Sequence, residues 1–305
     1  MFILIFNQLV KMLLIMFLAF LCYRLKIINQ EGNRNFSSLL LIVVNPCLIL
    51  TVFQTEYDAA LVKGLLVSFV IALMAHVIGI ILAHFLVPAK NNPDYALDRF
   101  SAVYSNCGFI GIPLVSNVLG SKGVFFLTAY ITIFNILTWT HGLVLLNGSF
   151  SAKRLKEGLL SPIVLGTIVG AILFFLQIRI PTPLLDSMEY IASMNTPLAM
   201  MIAGFSIAQA DLKHIFTHLR IYWVSFLKLL LVPLAVLVFL AWIPVDPDIA
   251  YTMLIAVSCP TATTLTMMAI RFDLNYTYAS EVFSFSTALS ILTIPAVAYV
   301  AEFFL

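Results

Sequence analysis

Hydrophobic residues in this chain form neither a helical stripe nor an alternating row; they gather into long runs bounded by short polar segments. Each run is close to the roughly 17 to 25 residues that a helix needs to cross a bilayer. Ten can be placed, at residues 5–23, 36–54, 62–87, 98–118, 123–147, 158–178, 187–208, 221–242, 249–270 and 278–303. The longest connection, about residues 148–157, is too short to fold alone. The pattern predicts an all-α integral membrane protein of ten transmembrane helices with no soluble domain.

Two of the ten runs are interrupted by residues that suit a helix badly. The fourth contains Ser105-Asn106-Cys107-Gly108-Phe109-Ile110-Gly111-Ile112-Pro113, and the ninth contains Ser258-Cys259-Pro260-Thr261-Ala262-Thr263-Thr264. Glycine permits backbone conformations and close approaches that other residues resist, and proline removes a donor and disrupts the helix around it. An unpaired backbone group in hydrocarbon costs several kcal/mol, so both breaks must be covered by protein. Paired breaks at corresponding positions of two halves are a pointer to a secondary transporter's binding site.

Sliding the chain against itself by about 151 to 153 residues aligns the breaks, Cys107 with Cys259. It also brings Asn45-Pro46 onto Thr196-Pro197 and His76 onto Lys228. Five spans per half is an odd number, so a second repeat enters the membrane inverted. This predicts a first five-helix repeat over 1–150 and an inverted second one over 151–305, with broken helices 4 and 9 facing each other near the membrane midplane.

Composition sharpens this picture. The chain is 62% hydrophobic and 10% charged, with mean hydropathy +1.07, against roughly 45 to 50% apolar for soluble domains. The first run has no basic residue before Lys11, and Arg24 and Lys26 follow it where a cleavage site would stand, so it is read as a retained helix. Cys22, Cys47, Cys107 and Cys259 lie in apolar runs without metal or disulfide spacing.

The net charge of +2 gives no reason to propose a nucleic-acid partner, but its distribution is uneven. Loops after the odd spans carry eleven basic residues, Arg24, Lys26, Arg34, Lys90, Arg99, Lys153, Arg154, Lys156, Lys213, Arg220 and Arg271. The opposite face has Lys63, Lys122 and Arg179, while Lys11 and Lys228 lie within spans. The positive-inside rule then places the odd loops in the cytoplasm and both termini outside. For a bacterial chain that means a multi-pass protein of the plasma (inner) membrane.

The acidic residues all fall in loops or near span ends, Glu281 being the best placed to reach inward. This disfavours a cation–proton antiporter with paired acids and an intramembrane aspartyl protease. No histidine follows His218, which disfavours a rhomboid-type serine protease, and no zinc-binding His-Glu-x-x-His or phosphate-cradling Lys loop is present. Neither an enzyme nor a cofactor is expected.

Several polar residues within spans are candidates for a site. Asn106 offers two amide donors and an acceptor at the point where a half-helix N-terminus also becomes free to meet a carboxylate; alternatively it caps the broken helix. Cys107, Gly108, Gly111 and Pro113 belong to the same break. Ser258, Pro260, Thr261, Thr263 and Thr264 form the second, and their hydroxyls could meet substrate, or, with exposed carbonyls, a sodium ion near Thr261 and Thr263. Membrane threonines also commonly bond the preceding turn. Lys228 could neutralise an anion, pair with Glu281, or snorkel to the surface near Arg220. His76 could carry a coupling proton or simply pack. Asn45, Asn135 and Asn195 could line a path or bond between helices.

Three stretches carry a family resemblance. They are Asn106-Cys107-Gly108-Phe109-Ile110-Gly111-Ile112-Pro113-Leu114, Leu227-Lys228-Leu229-Leu230-Leu231-Val232-Pro233-Leu234, and Ser258-Cys259-Pro260 followed by Ser286-Thr287 and Ile294-Pro295. Over essentially its whole length the chain resembles the auxin efflux carrier family in its compact prokaryotic form, within the wider bile acid, auxin and arsenite transporter group. The resemblance implies a scaffold of helices 1, 2, 6 and 7 and a mobile transport domain of helices 3–5 and 8–10. It further implies broken helices crossing at Pro113 and Pro260, elevator-type alternating access, and often a homodimer.

Family members carry organic anions, including auxin in plants and malate or related dicarboxylates in bacteria. Here the long loop between helices 5 and 6 of plant carriers is missing, and Ser161-Pro162-Ile163 stands where they tend to show Asn-Pro-Asn. Auxin itself is therefore not expected. The expectation is a secondary transporter of a malate-like mono- or dicarboxylate, coupled to H+ or Na+. The alternatives are a sodium-coupled symporter of the bile-acid carrier type and an anion-binding membrane sensor or channel.

Overall fold

A computed structural model describes residues 2–149, 152–209, 215 and 218–305. The expected repeat boundary at residues 150 and 151 and Lys213, expected on the cytoplasmic face, lie outside the described residues. Among those described the protein is all helical. Seven helices are long and apolar enough to cross a membrane, and two shorter apolar ones accompany them.

In chain order the helices are α1 (Phe2–Arg24), α2 (Gln30–Val52), α3 (Ala59–Leu86), α4 (Tyr95–Val103), α5 (Cys107–Asn147), α6 (Ala152–Leu159), α7 (Pro162–Leu176), α8 (Thr182–Gln209), α9 (Leu219–Ala241), α10 (Pro247–Ser258), α11 (Thr264–Arg271) and α12 (Tyr276–Ala301). Leu14 and Leu18 of α1, Leu66 and Val70 of α3, and Leu292 of α12 face outward. Large apolar residues exposed in this number mark a surface covered by something other than water.

The fourth and fifth expected spans meet in α5, whose course breaks at Gly120 (φ 65°, ψ −160°). In a straight helix residues 115 and 123 would lie about 12 Å apart along the axis, at 1.5 Å per residue. A Cβ built on Gly123 would instead stand 2.5 Å from Leu119 Cβ and 2.9 Å from Val115 Cγ1. The chain therefore turns back on itself, and the left-handed φ of Gly120 is one that residues with a Cβ rarely adopt.

Three of the helices, α2, α5 and α9, contain between them four widened turns closed by an N–H five residues beyond its acceptor, at Leu40–Val44, Cys107–Gly111, Thr138–Gly142 and Leu227–Leu231. Three of the four are followed two residues later by proline, at Pro46, Pro113 and Pro233. Proline has no N–H to donate, and its ring clashes with the carbonyl four residues back. Inserting one extra residue in the preceding turn relieves that conflict.

The helices pack in two sets, which are joined by contacts of α12 with α1 and α8 and of α5 with α1, α2 and α8. The most extensive contact among the described residues is α1 on α8, and α2 packs on α7 and on the first part of α8. In the other set α3 packs on α4 and α5, α5 on α10, α9 on α10, and α11 on α12.

At the end of the second set that carries Arg99, an interior polar cluster joins three elements. Arg220 bonds Asp94 at 2.6 Å and also donates to Asn92. Asn92 donates to Asp98 at 2.8 Å, and the Tyr278 hydroxyl donates to the other Asp98 oxygen at 2.6 Å. Asp98, near a span end by sequence, is only 1% exposed. Tyr278→Phe leaves that buried acceptor short of a donor, a loss of about 1 to 3 kcal/mol. A lowered melting midpoint in detergent is the expected result, with Tyr276→Phe, at an exposed position, unchanged as the control.

Candidate functional site

The two sequence breaks meet. Helix α4 ends at Val103 and α10 at Ser258, and the extended segments that follow run antiparallel, Ser105 opposite Thr261. Asn106 N–H donates to Pro260 O at 2.7 Å, and Ala262 N–H donates to Tyr104 O at 2.9 Å. Each break thus supplies the backbone partners that the other lacks, which answers the cost of unpaired groups in an apolar interior. Pro260 takes part in this crossing, whereas Pro113 does not. It sits inside α5 just after the widened turn, so the expectation of a crossing at both prolines is corrected to Ser105 and Thr261.

Two half-helices end here and two begin. The ending ones have their free carbonyls engaged: Thr261 Oγ1 donates to Ser101 O at 3.2 Å, and Ser105 Oγ donates to Val257 O at 3.2 Å. Lys228, 0% exposed, donates to Ser105 Oγ at 2.5 Å, Val257 O at 3.2 Å and Val103 O at 3.4 Å. Its ammonium therefore stays inside. It neither snorkels past Arg220 nor takes Glu281 as one of these three partners, although Glu281 is also buried. Nearness in sequence to Arg220 could not decide this, because the packing of α9 against the crossing sets the direction of the side chain.

The beginning half-helices are differently provided. Ile110 N–H and Gly111 N–H bond Asn106 O, while Cys107, Gly108 and Phe109 begin α5 without a helical acceptor. Asn106, 3% exposed, makes no side-chain cap, and its Nδ2 has no partner among the described residues. Of the two readings of Asn106, capping is therefore not the one realised. A Cβ on Gly108 would meet nothing within 4 Å, so open space lies beside this donor-rich start. Gly108 and Gly111 do not have left-handed φ. Gly111 serves close approach instead, since a Cβ there would lie 3.4 Å from Cys259 Sγ.

The second break contributes less to an open site. Thr261 bonds through both its donors, its hydroxyl to Ser101 O and its N–H to Ser286 Oγ at 3.3 Å. Thr263 precedes α11 without capping it by its side chain. Ser258 Oγ and Thr264 Oγ1 are buried without a partner among the described residues. Asn135 bonds the preceding turn, at Ile131 O, at 2.8 Å. His76 Nδ1 lies 2.7 Å from Ala72 O, and its ring packs 4.7 Å from that of Tyr130. Asn195 Nδ2 donates to Asn45 Oδ1 at 2.7 Å, joining α8 to α2 in the interior.

A cavity of about 420 Å³ lies between α2, α5 and α8. Leu48, Thr51 and Val52 of α2 and Ser193, Asn195 and Thr196 of α8 line one wall; Ser116, Asn117 and Ser121 line the other. Asn117 Nδ2 bridges the walls, donating to Pro113 O at 2.8 Å and Thr196 Oγ1 at 3.2 Å. Helix α8 also packs on the Cys107–Gly111 turn, which links the cavity wall to the crossing. Sequence reasoning missed Ser116, Asn117 and Thr196 as a group, because small polar residues near span ends leave no mark on the hydropathy pattern.

Multiple apolar helices, with two interrupted segments crossing inside the protein and a polar cavity elsewhere between helices, define an integral membrane protein of transporter type. The chain matches the membrane transport protein family over residues 4–156 and 149–298. It belongs to that family, the auxin efflux carrier family. It is 24% identical over 290 positions to an uncharacterized transporter of Methanothermobacter thermautotrophicus, covering 92% of this chain and 94% of that protein. It is 25% identical over 313 positions to the uncharacterized transporter YfdV of Escherichia coli, covering 97% of each. A putative malonate transporter of Rhizobium meliloti is 25% identical over 219 positions, 68% of this chain and 67% of that protein.

Proposed function

We propose that this protein is a secondary transporter that moves a small organic anion, a mono- or dicarboxylate of malonate or malate size, by elevator-type alternating access. The observation that carries this reading is the start of α5, where Asn106 Nδ2 is buried without a partner among the described residues, next to first-turn N–H groups that have no helical carbonyl to bond and open space at Gly108. A helix N-terminus with free donors favours a carboxylate. The cavity lining is polar and carries one carboxylate, Glu189 at its exposed edge, and no basic residue, so preference for an anion is assigned to the crossing and not to the cavity walls. The named malonate relative supports a dicarboxylate.

Counting α5 as two crossings, α10 with α11 as one broken crossing, and α7 as one brings the seven long helices to ten, as an inverted five-plus-five repeat requires. The set α1, α2, α7 and α8 corresponds to the scaffold, and the set around the crossing to the transport domain. The cavity lies on their boundary, where a sliding motion would expose a bound solute first to one side and then to the other. Its edge at Ser121 adjoins Lys122, on the face poor in basic residues, so this conformation opens outward if the positive-inside rule orients the chain.

Proteoliposomes loaded against labelled malonate and malate test the reading. Saturable, time-dependent accumulation of one of them is expected, slowed by Ser116→Phe, whose ring projects into the cavity. Binding without accumulation would identify a sensor instead, and flux that never saturates would identify a channel.

A further inference from the structure

At the crossing the Lys228 amine is surrounded by oxygens from both broken helices. Val103 and Val257 lie at the C-terminal ends of α4 and α10, where unsatisfied carbonyls give a helix its negative pole. In transporters built on broken helices, such half-helix ends and unwound carbonyls are the groups that coordinate a coupling cation. Here both converge on Lys228 Nζ, with Ser105 Oγ as the third oxygen. An ammonium has three donors and no acceptor, which matches two carbonyls that can only accept and a hydroxyl that passes its own proton to Val257 O or the Tyr130 hydroxyl. None of the three partners is a carboxylate. The arrangement is therefore a cage of uncharged oxygens around Nζ and not an ion pair.

We propose that Lys228 is a tethered monovalent cation, its ammonium occupying an oxygen cage at the crossing that would otherwise take a small cation from solution. The site consequently needs no sodium ion, and any ion coupling of transport runs elsewhere in the protein. The proposal does not depend on which solute is carried, because it concerns only the groups around Nζ.

Thermal unfolding of the purified protein in detergent tests it, at constant ionic strength in sodium, ammonium or choline chloride. The wild type is expected to melt at one temperature in all three salts. Lys228→Ala removes the ammonium and its stem but leaves the oxygens, so it is expected to melt well below the wild type in choline. Sodium or ammonium, but not choline, then restores the larger part of the loss, and adding Ser105→Ala weakens that recovery. A folded Lys228→Ala protein indifferent to all three cations overturns the proposal. If the variant folds poorly in choline, extraction in ammonium decides the matter: monodisperse protein supports the cage, and its absence overturns it. Uptake assays play no part, so failure here is distinct from failure of the anion reading.

Discussion

Asn106→Leu is expected to lower uptake of the carboxylate solute, measured below saturation, by about ten- to a hundredfold. A hydrogen bond to a charged group contributes about 1.5 to 3 kcal/mol, and every 1.4 kcal/mol is roughly tenfold in affinity. Stability should move the other way or stay level. Asn106 Nδ2 is buried without a partner in the solute-free protein, so replacing the amide with a side chain of similar shape removes a desolvation penalty and breaks no bond made by that nitrogen. The melting midpoint is therefore expected to be unchanged or raised. Equal uptake by the variant and the wild type would remove Asn106 from the site, and a sharp fall in the midpoint would show a structural role instead. Asn106→Asp places a negative charge against an anion and is expected to be at least as damaging.

Gly204→Val is expected to cause the largest loss of stability. Helix α8 lies so close to α1 that a Cβ on Gly204 would stand 2.2 Å from Met16 O and 2.9 Å from Ala19 Cβ. Membrane helices associate through such small residues because lipid offers no hydrophobic drive for packing. Overfilling a core costs about 1 to 3 kcal/mol when side chains can adjust, occasionally more. The obstacle here is a backbone carbonyl, which cannot rotate aside, so the loss should reach or exceed the top of that range. A lower melting midpoint and aggregation on size exclusion would show it. Gly108→Ala, whose Cβ meets nothing within 4 Å, serves as the control and should melt like the wild type.

What the sequence disclosed follows from the kind of physics involved. Long apolar runs reveal spans because length and hydropathy are local quantities, and the breaks at 105–113 and 258–264 stood out because glycine, proline and threonine are locally wrong for a lipid-exposed helix. The exact crossing, Ser105 with Thr261 and not Pro113 with Pro260, depends on which backbone groups find each other across 156 positions. Lys228 could be ranked only as inside or outside until packing chose. Gly204 carried no special signal, although the Gly166-x-x-x-Gly170 spacing in α7 could have drawn attention to close packing: a Cβ on Gly170 would lie 2.6 Å from Phe53. The cavity was least legible, since its residues become neighbours only after α5 has folded back at Gly120 and α8 has docked on α2.

The reciprocal backbone bonds between the two breaks also constrain how the molecule can move. Drawing the strands apart would orphan four groups, Asn106 N–H, Pro260 O, Ala262 N–H and Tyr104 O, each costing several kcal/mol away from water, and would pull Lys228 from ligands contributed by both sides. The junction therefore behaves as a riveted joint and not as a hinge. In the elevator motion proposed above, slippage would fall at the seam lined by Asn117, Ser193 and Thr196, where hydroxyls and amides can exchange partners as they pass.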